Sequence, residues 1–333
     1  MTSVAIHPPF TLHCLGFVFS QISDGSQSVA IHPPFTLHGL GVYFLETPVS
    51  ANLTDCEFTT LLDALEAGLV IIQERRLPTI RQLRVENRSD KLVFVLPGIM
   101  VFGGYQDRVI ATAAVLDPAE QTLDLPAFCV EPGRWHPIRG REFYVSRAKE
   151  MHYAPRKVRT AALLQKNQLA VWEATASYRE QARTSVQAPL YSSSLRDVIE
   201  YHDLAKAITD FGQECENALA SFANANGLAF VLGDSVVEID LFGTPQLLRI
   251  CAPILIQSYA RDAIITRQTE KQFSSQVENQ ILQLALTELT AKHYAAHPAK
   301  HNRLYLGSHD DTYDVLLLTY RDQLVFKQIL SRL

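Results

Sequence analysis

Basic residues are missing from the first 74 positions of this 333-residue chain, where Arg75 is the first lysine or arginine. That excludes the charged n-region of a secretory signal peptide, and Pro8-Pro9, His7 and His13 also interrupt the early apolar run. Long hydrophobic runs are lacking too. No stretch approaches the roughly 20 apolar residues of a membrane-spanning helix, so the expectation is a cytoplasmic protein without membrane association. Cysteine is sparse, with five scattered residues and no Cys-x-x-Cys, which excludes a disulfide framework and a thiolate zinc site. Nor is there a basic excess. Lys+Arg number 30 against 35 Asp+Glu, a net charge of −5, which argues against general nucleic-acid binding. No paired histidine–carboxylate signature appears, so neither metal nor cofactor is expected.

What is present begins with a duplication. "SVAIHPPFTLHCLG" at 3–16 returns as "SVAIHPPFTLHGLG" at 28–41, with Cys14 replaced by Gly39. A solenoid needs several units, because each buries its apolar face against its neighbours. Two copies and no more read instead as a duplicated extension, residues 1–27, joined through the polar linker "SQISDGSQ" (20–27) to a folded body starting near residue 28. His7, His13, His32 and His38 have a spacing that permits metal capture on one strand face, but they lack carboxylate or cysteine company. The two copies also compete for one strand position, which is a domain-swapping hazard.

The body reads as α+β. Residues 28–150 form a β-rich lobe, and residues 151–333 form a helical lobe with β-hairpins, integrated with the first as one body. "GVYFLETP" opens it as a strand. "LRVENRSDKLVFVLPG" (83–98) holds two strands around a polar turn, with Leu83 and Val85 facing in and "LVFVL" buried on both faces. "RVIATAAVL" and "QTLDLPAFCV" are further strands, and "TTLLDALEA" (59–67) is a short helix ending at Gly68. Beyond residue 155 the period becomes helical, in one helix or two. Ser194-Leu-Arg-Asp197 reads as a capping box opening a long helix that stops at Asn226-Gly227. "LAFVLGDSVVEIDLFG" (228–243) is a hairpin turning at Gly233-Asp234, with Val237, Ile239 and Leu241 inward. Helices at 245–264 and 270–295 and strands near 302–307, 312–320 and 323–330 complete the chain.

Two segments carry more polar chemistry than a scaffold needs. In "GGYQDRVI" (103–110), Gly103-Gly104 allows close approach to exposed amides, and Gln106, Asp107 and Arg108 follow at the mouth of a strand. In "FCVEPGRWHPIRGREF" (128–143), Arg134, Arg139 and Arg141 supply forked donors, Trp135 a stacking face and His136 a group titrating near neutrality. Glu131 and His136 are acid/base candidates, and Cys129 is a nucleophile candidate only if a base lies beside it. Each has a plainer reading: a tight turn, a surface loop with Trp135 as its anchor, a buried inert thiol. "SHDDTYD" (308–314) lacks the spacing and glycine of a calcium loop and reads as an acidic turn. Trp172 reads as core.

Taken in order, "LRVENRSDKLVFVLPG", "GGYQDRVI", "CVEPGRW", "NQLAVW" (167–172) and "VVEIDLFGTPQLL…SYARDA" (236–263) resemble a prokaryotic domain family of unassigned activity. It is named for its association with ADP-ribosylglycohydrolases and rhodanese-phosphatases. The resemblance covers about residues 38–265. Gln106, Arg108, Cys129, Glu131, Arg134 and Trp135 match its polar motifs. Ile99 stands where the family pattern has glutamate after glycine, so any role of that carboxylate is lost here. The family name implies ADP-ribose or NAD-derived metabolism as context.

These readings lead to a phosphate-bearing, nucleotide-like ligand held by Gly103, Gly104, Gln106, Asp107, Arg108, Arg134 and Trp135. The arginines would take the anion and Trp135 would stack. The alternative is a non-enzymatic interaction or scaffold protein, homo-oligomeric or partner-docking, whose polar motifs are structural. The sequence leaves catalysis undecided.

Overall fold

The computed structural model describes residues 2–3, 29–48, 53, 56–75, 79, 81–119, 122–136, 142–145, 152–266, 273–287, 291–295, 297 and 299–332. The first repeat copy beyond Ser3, the linker 20–27, His7, His13, Arg139 and Arg141 lie outside the described residues. The described elements form an α+β fold. Its two compact units interleave along the chain: residues 1–56, 217–249 and 270–333 in one, residues 57–216 and 250–269 in the other.

The first unit is an antiparallel sheet. Strand Leu40–Glu46 takes Ala30–Ile31 and Phe35–Leu37 along one edge and Gly227–Leu232 along the other. The order continues through Ser235–Phe242, Gln323–Ser331, Tyr313–Tyr320 and Asn302–Ser308 to Ala291–Ala295. Alternate side chains, among them Tyr43, Leu45, Ile239, Leu241, Val315 and Ile329, meet Val277, Ile281 and Leu284 of helix Ser275–Leu286 in one buried cluster. The hairpin turns at Gly233-Asp234 as expected. A register shift between Phe230 and Val231, however, brings Val236 rather than Val237 into that cluster. The helix expected over 270–295 is shorter: chain at 291–295 is a strand, because the edge of Asn302–Ser308 offers it a ladder. At 308–314, Asp310 accepts the amides of Thr312 and Tyr313 while Asp314 pairs with Arg332, an acidic turn closed on itself.

The second unit has two sheets. The larger runs in the order Phe143–Tyr144, Met100–Gly103, Arg108–Ile110, Leu123–Cys129, Gln82–Asn87, Val70–Gln73. The smaller runs Ala114–Leu116, Leu92–Val95, Phe58–Thr60. The two strands of "LRVENRSDKLVFVL" therefore do not pair with each other, and "RVIATAAVL" is two strands in different sheets rather than one. Asn87 makes the crossing possible. Its side chain donates to the carbonyls of Lys91 (3.0 Å) and Asp117 (2.9 Å) and accepts the Ser89 amide (3.0 Å), serving backbone groups that no ladder reaches. The helix Leu61–Glu66 starts on Thr60, which accepts the Asp63 amide, and gives way to Gly68 at φ 70°.

Helix Arg156–Thr160 passes into a π-helical turn, Ala161–Gln165, which Lys166 ends in the left-handed region. Asn167 then caps a separate helix, Gln168–Val186, so the helical stretch is divided there. The expected capping box does not form. Asp197 instead accepts the amides of Tyr191 and Ser192, and the single long helix is two, Arg196–Ile199 and His202–Leu219. Asn226 is not a helix stop but a clamp, bonded to Thr47 and to the Phe242 carbonyl. Helix Pro245–Thr266 delivers Tyr259, Arg261 and Asp262 to the second unit. There Asp262 takes the Tyr178 hydroxyl (2.7 Å) and the Arg156 amide (3.0 Å), and Arg159 lies over the rings of Tyr153 and Tyr259. Among the described residues, no helix is long and apolar enough to cross a membrane.

Candidate functional site

The two polar segments meet because their strands are neighbours. Residues 104–107 connect the antiparallel strands Met100–Gly103 and Arg108–Ile110, and Arg108 stands opposite Cys129 on Leu123–Cys129. The turn needs glycine. Gly103 has φ 120° and Gly104 φ 50°, and a Cβ on Gly104 would sit 2.4 Å from the Phe143 ring. Cys129 is followed at once by the loop that carries Glu131, Arg134, Trp135 and His136. Helix Gln168–Val186 holds the end of that strand, since its first residue, Gln168, donates to the Cys129 carbonyl and accepts its amide, like one more rung of ladder.

Both arginines are directed inward. Arg108 is wholly buried and grips both carboxylate oxygens of Glu74, at 2.9 and 3.1 Å, while Glu74 is equally buried. Its terminal nitrogens also reach the Thr79 carbonyl and the Cys129 sulfur, while its buried Nε has no partner among the described residues. Arg134 donates to Glu131 (2.5 Å), Asp107 (3.1 Å) and the carbonyls of Gly104 and His136 (3.1 Å each). A third arginine, Arg196, reaches Asp107 (3.3 Å) and the Tyr144 hydroxyl, with its guanidinium 4.2 Å over the Phe102 ring. Asp107 also accepts the Gly103 amide and the Ser194 hydroxyl. Three guanidinium groups thus meet three carboxylates in two neighbouring sets, Arg108 with Glu74 and Arg134 and Arg196 with Glu131 and Asp107, of which Arg196 is half-buried.

Electrostatics grade the members. Burial pushes Asp107 above the usual carboxylate range and Glu131 adds to the rise, outweighing Arg196, the Gly103 amide and Arg134. Cys129 is buried too, and desolvation raises its thiol to about 11 despite Arg108 beside it. A thiol in that state is the reverse of an activated nucleophile. Its polar neighbour is Arg108, whereas His136 is exposed in the following loop. Glu131 is buried and paired with Arg134.

The rim is different. Trp135 is 47% exposed, its ring 5.6 Å from that of Tyr105 and 5.8 Å from the Arg108 guanidinium. Gln106 is buried, and its Oε1 makes no hydrogen bond among the described residues. The structure therefore brings Gly103, Gly104, Gln106, Asp107, Arg108, Cys129, Glu131, Arg134, Trp135 and His136 into one neighbourhood. Glu74, Gln168, Ser194 and Arg196 belong to it as well, and the sequence gives none of them a site role. "NQLAVW" was part of the matched pattern, but nothing local marks Glu74. Ile99 is buried and bridges to Tyr153, so its position is a core position here. Among the described residues, no cluster of three or more histidine, cysteine or acidic side chains is arranged to hold a metal ion.

Residues 28–328 match the ARG and Rhodanese-Phosphatase-superfamily-associated Protein domain. The chain belongs to that family. No curated protein and no solved structure matches it.

Proposed function

We propose that this family member is a binding protein whose charged cluster is a lock and whose recognition surface is the aromatic rim the lock holds in place. The observation that carries this reading is a division of labour. Arg108 and Arg134 give their donors to Glu74, Glu131, Asp107 and backbone carbonyls, while Trp135 stays exposed beside Tyr105. Recognition then falls to stacking on a flat ring. The ligand class is nucleotide-like, an ADP-ribose or NAD derivative, a choice supported by the context in the family name. The base would stack on Trp135, Gln106 would supply a polar contact through its unused oxygen, and the arginines would position the loops rather than grip phosphate. No covalent step is assigned.

A second reading, a scaffold that docks a protein partner, is favoured by the pairing of Arg108, Arg134 and Arg196 with Glu74, Glu131 and Asp107 inside the protein. One experiment separates the two. In a Trp172→Phe background Trp135 is the single tryptophan, so its fluorescence can be titrated with ADP-ribose and NAD. The expected result is quenching with a raised melting temperature, and in Trp135→Leu the nucleotide-induced rise in melting temperature is lost while the unliganded melting temperature holds. No response to either nucleotide overturns the ligand reading. Glu74→Ala should lower stability by about 3–5 kcal/mol, as breaking a buried pair does; a neutral Glu74→Ala would sink the lock.

A further inference from the structure

The strands that pair with the outer side of Leu40–Glu46 are the second repeat copy, and its residues that make the contacts there recur in the first copy. Val29 is buried in the core cluster and Ile31 packs against it. His32 is 2% exposed, stacked on Phe222 at 3.8 Å with its Nε2 2.9 Å from Glu46. Phe35 meets the edge of Phe44, and Leu37 closes the register opposite Leu40. Twenty-five positions earlier stand Val4, Ile6, His7, Phe10 and Leu12. Identical side chains in identical order have the same intrinsic affinity for the same edge.

The likeness ends where an independent fold would need it. His38 and Gly39 both have positive φ, 45° and 73°, in the two-residue turn into strand Leu40–Glu46. The first copy has Cys14 in place of Gly39, a residue poorly suited to that backbone. Leu45, fully buried, and Glu46, the partner of His32, correspond to Ser20 and Gln21. The first copy can therefore donate the outer strands but not replace the strand they pair with. Its start lies one strand further out: Ser3 pairs with Ala30, and Thr2 with Ile31, in antiparallel register on the outer side of the second copy.

We propose that residues 3–12 are a spare for residues 28–37, exchanging with them on the edge of strand Leu40–Glu46 within one chain. Chain connectivity sets the preference. The second copy is tethered by a two-residue turn, whereas the exchanged form closes a loop over residues 13–39, a disadvantage of roughly fifty-fold by the three-halves power of loop length. The second copy therefore holds the edge in the intact chain, and the first takes over when the second is damaged by more than that factor.

The test is a double-mutant cycle in the full-length protein, read by chemical and thermal unfolding. Val4→Asp alone should leave stability unchanged. Val29→Asp alone should weaken the folded state by no more than about the fifty-fold exchange factor, and the pair together should cost far more. Ile6→Ala and Ile31→Ala give the same comparison with gentler changes, should the aspartate pair fail to fold. A double variant no worse than the second-copy single variant, in both series, overturns the proposal. So does a coupling that vanishes on dilution, which would assign the exchange to neighbouring molecules.

Discussion

At the scale of single residues, burial and pairing decide what each polar group can do. Cys129 and Arg108 show this together. A guanidinium beside a thiol ordinarily favours the thiolate, but here the loss of water outweighs it and the thiol stands near 11. At pH 8 such a group is roughly one part in a thousand ionised. Iodoacetamide should accordingly leave Cys129 and Cys215, whose thiol burial raises to about 12, unmodified in the folded protein, while the half-buried Cys56 reacts. Mass spectrometry of the alkylated protein before and after urea checks this. Rapid labelling of Cys129 in the native state would show that its environment is open.

At the scale of elements, two turns flank the site and depend on glycine for different reasons. Gly104 has a positive φ and also no room, with the Phe143 ring 2.4 Å from where a Cβ would lie. Gly133, in the loop before Arg134 and Trp135, has φ 91° and nothing within 4 Å. Gly133→Ala should therefore cost only the backbone penalty, about 1–2 kcal/mol. Gly104→Ala should add roughly 1–3 kcal/mol of overpacking to that. Thermal unfolding of the two variants side by side reads the difference, and equal losses would contradict the crowding at Gly104. Element breaks follow the same logic of local satisfaction. The strand expected over 108–116 divides after Ala111, whose amide still bonds the Pro126 carbonyl in register with Leu123–Cys129, because Ala114–Leu116 pairs with Leu92–Val95 instead. The helix expected from Ser194 divides at Glu200-Tyr201, between Arg196–Ile199 and His202–Leu219.

At the scale of the whole molecule, the second unit is assembled from segments far apart in sequence. Residues 250–269 bring Tyr259, Arg261 and Asp262 to Arg159, Tyr153 and Tyr178, all of them buried. A chain of residues 57–216 alone lacks those partners and leaves the Arg159 guanidinium and the Tyr178 hydroxyl without Tyr259 and Asp262. Unsatisfied buried groups of that kind cost about 1–3 kcal/mol each, more when charged. The fragment should show no cooperative urea transition, and supplying the full chain's register of segments should restore it. A cooperative transition in the isolated fragment would mean that residues 250–269 are dispensable to this unit.

How much of this was legible follows from the range of each interaction. Apolar alternation and turn residues act over a few positions. They determined the α+β class, the strand at Leu40–Glu46, the hairpin at Gly233-Asp234, the helix from Thr60 to Gly68 and the polar density of 103–108 and 129–136. The duplication, too, is a property of the sequence alone. Pairing between distant segments is not local, so only the tertiary structure decided that Gln82–Asn87 and Leu92–Val95 belong to different sheets and that Ala291–Ala295 is a strand. It alone decided that Glu74 faces the Arg108 guanidinium and Asp107 that of Arg134. A sequence names charges; only three-dimensional proximity, acting through the low dielectric of the interior, settles which of them cancel.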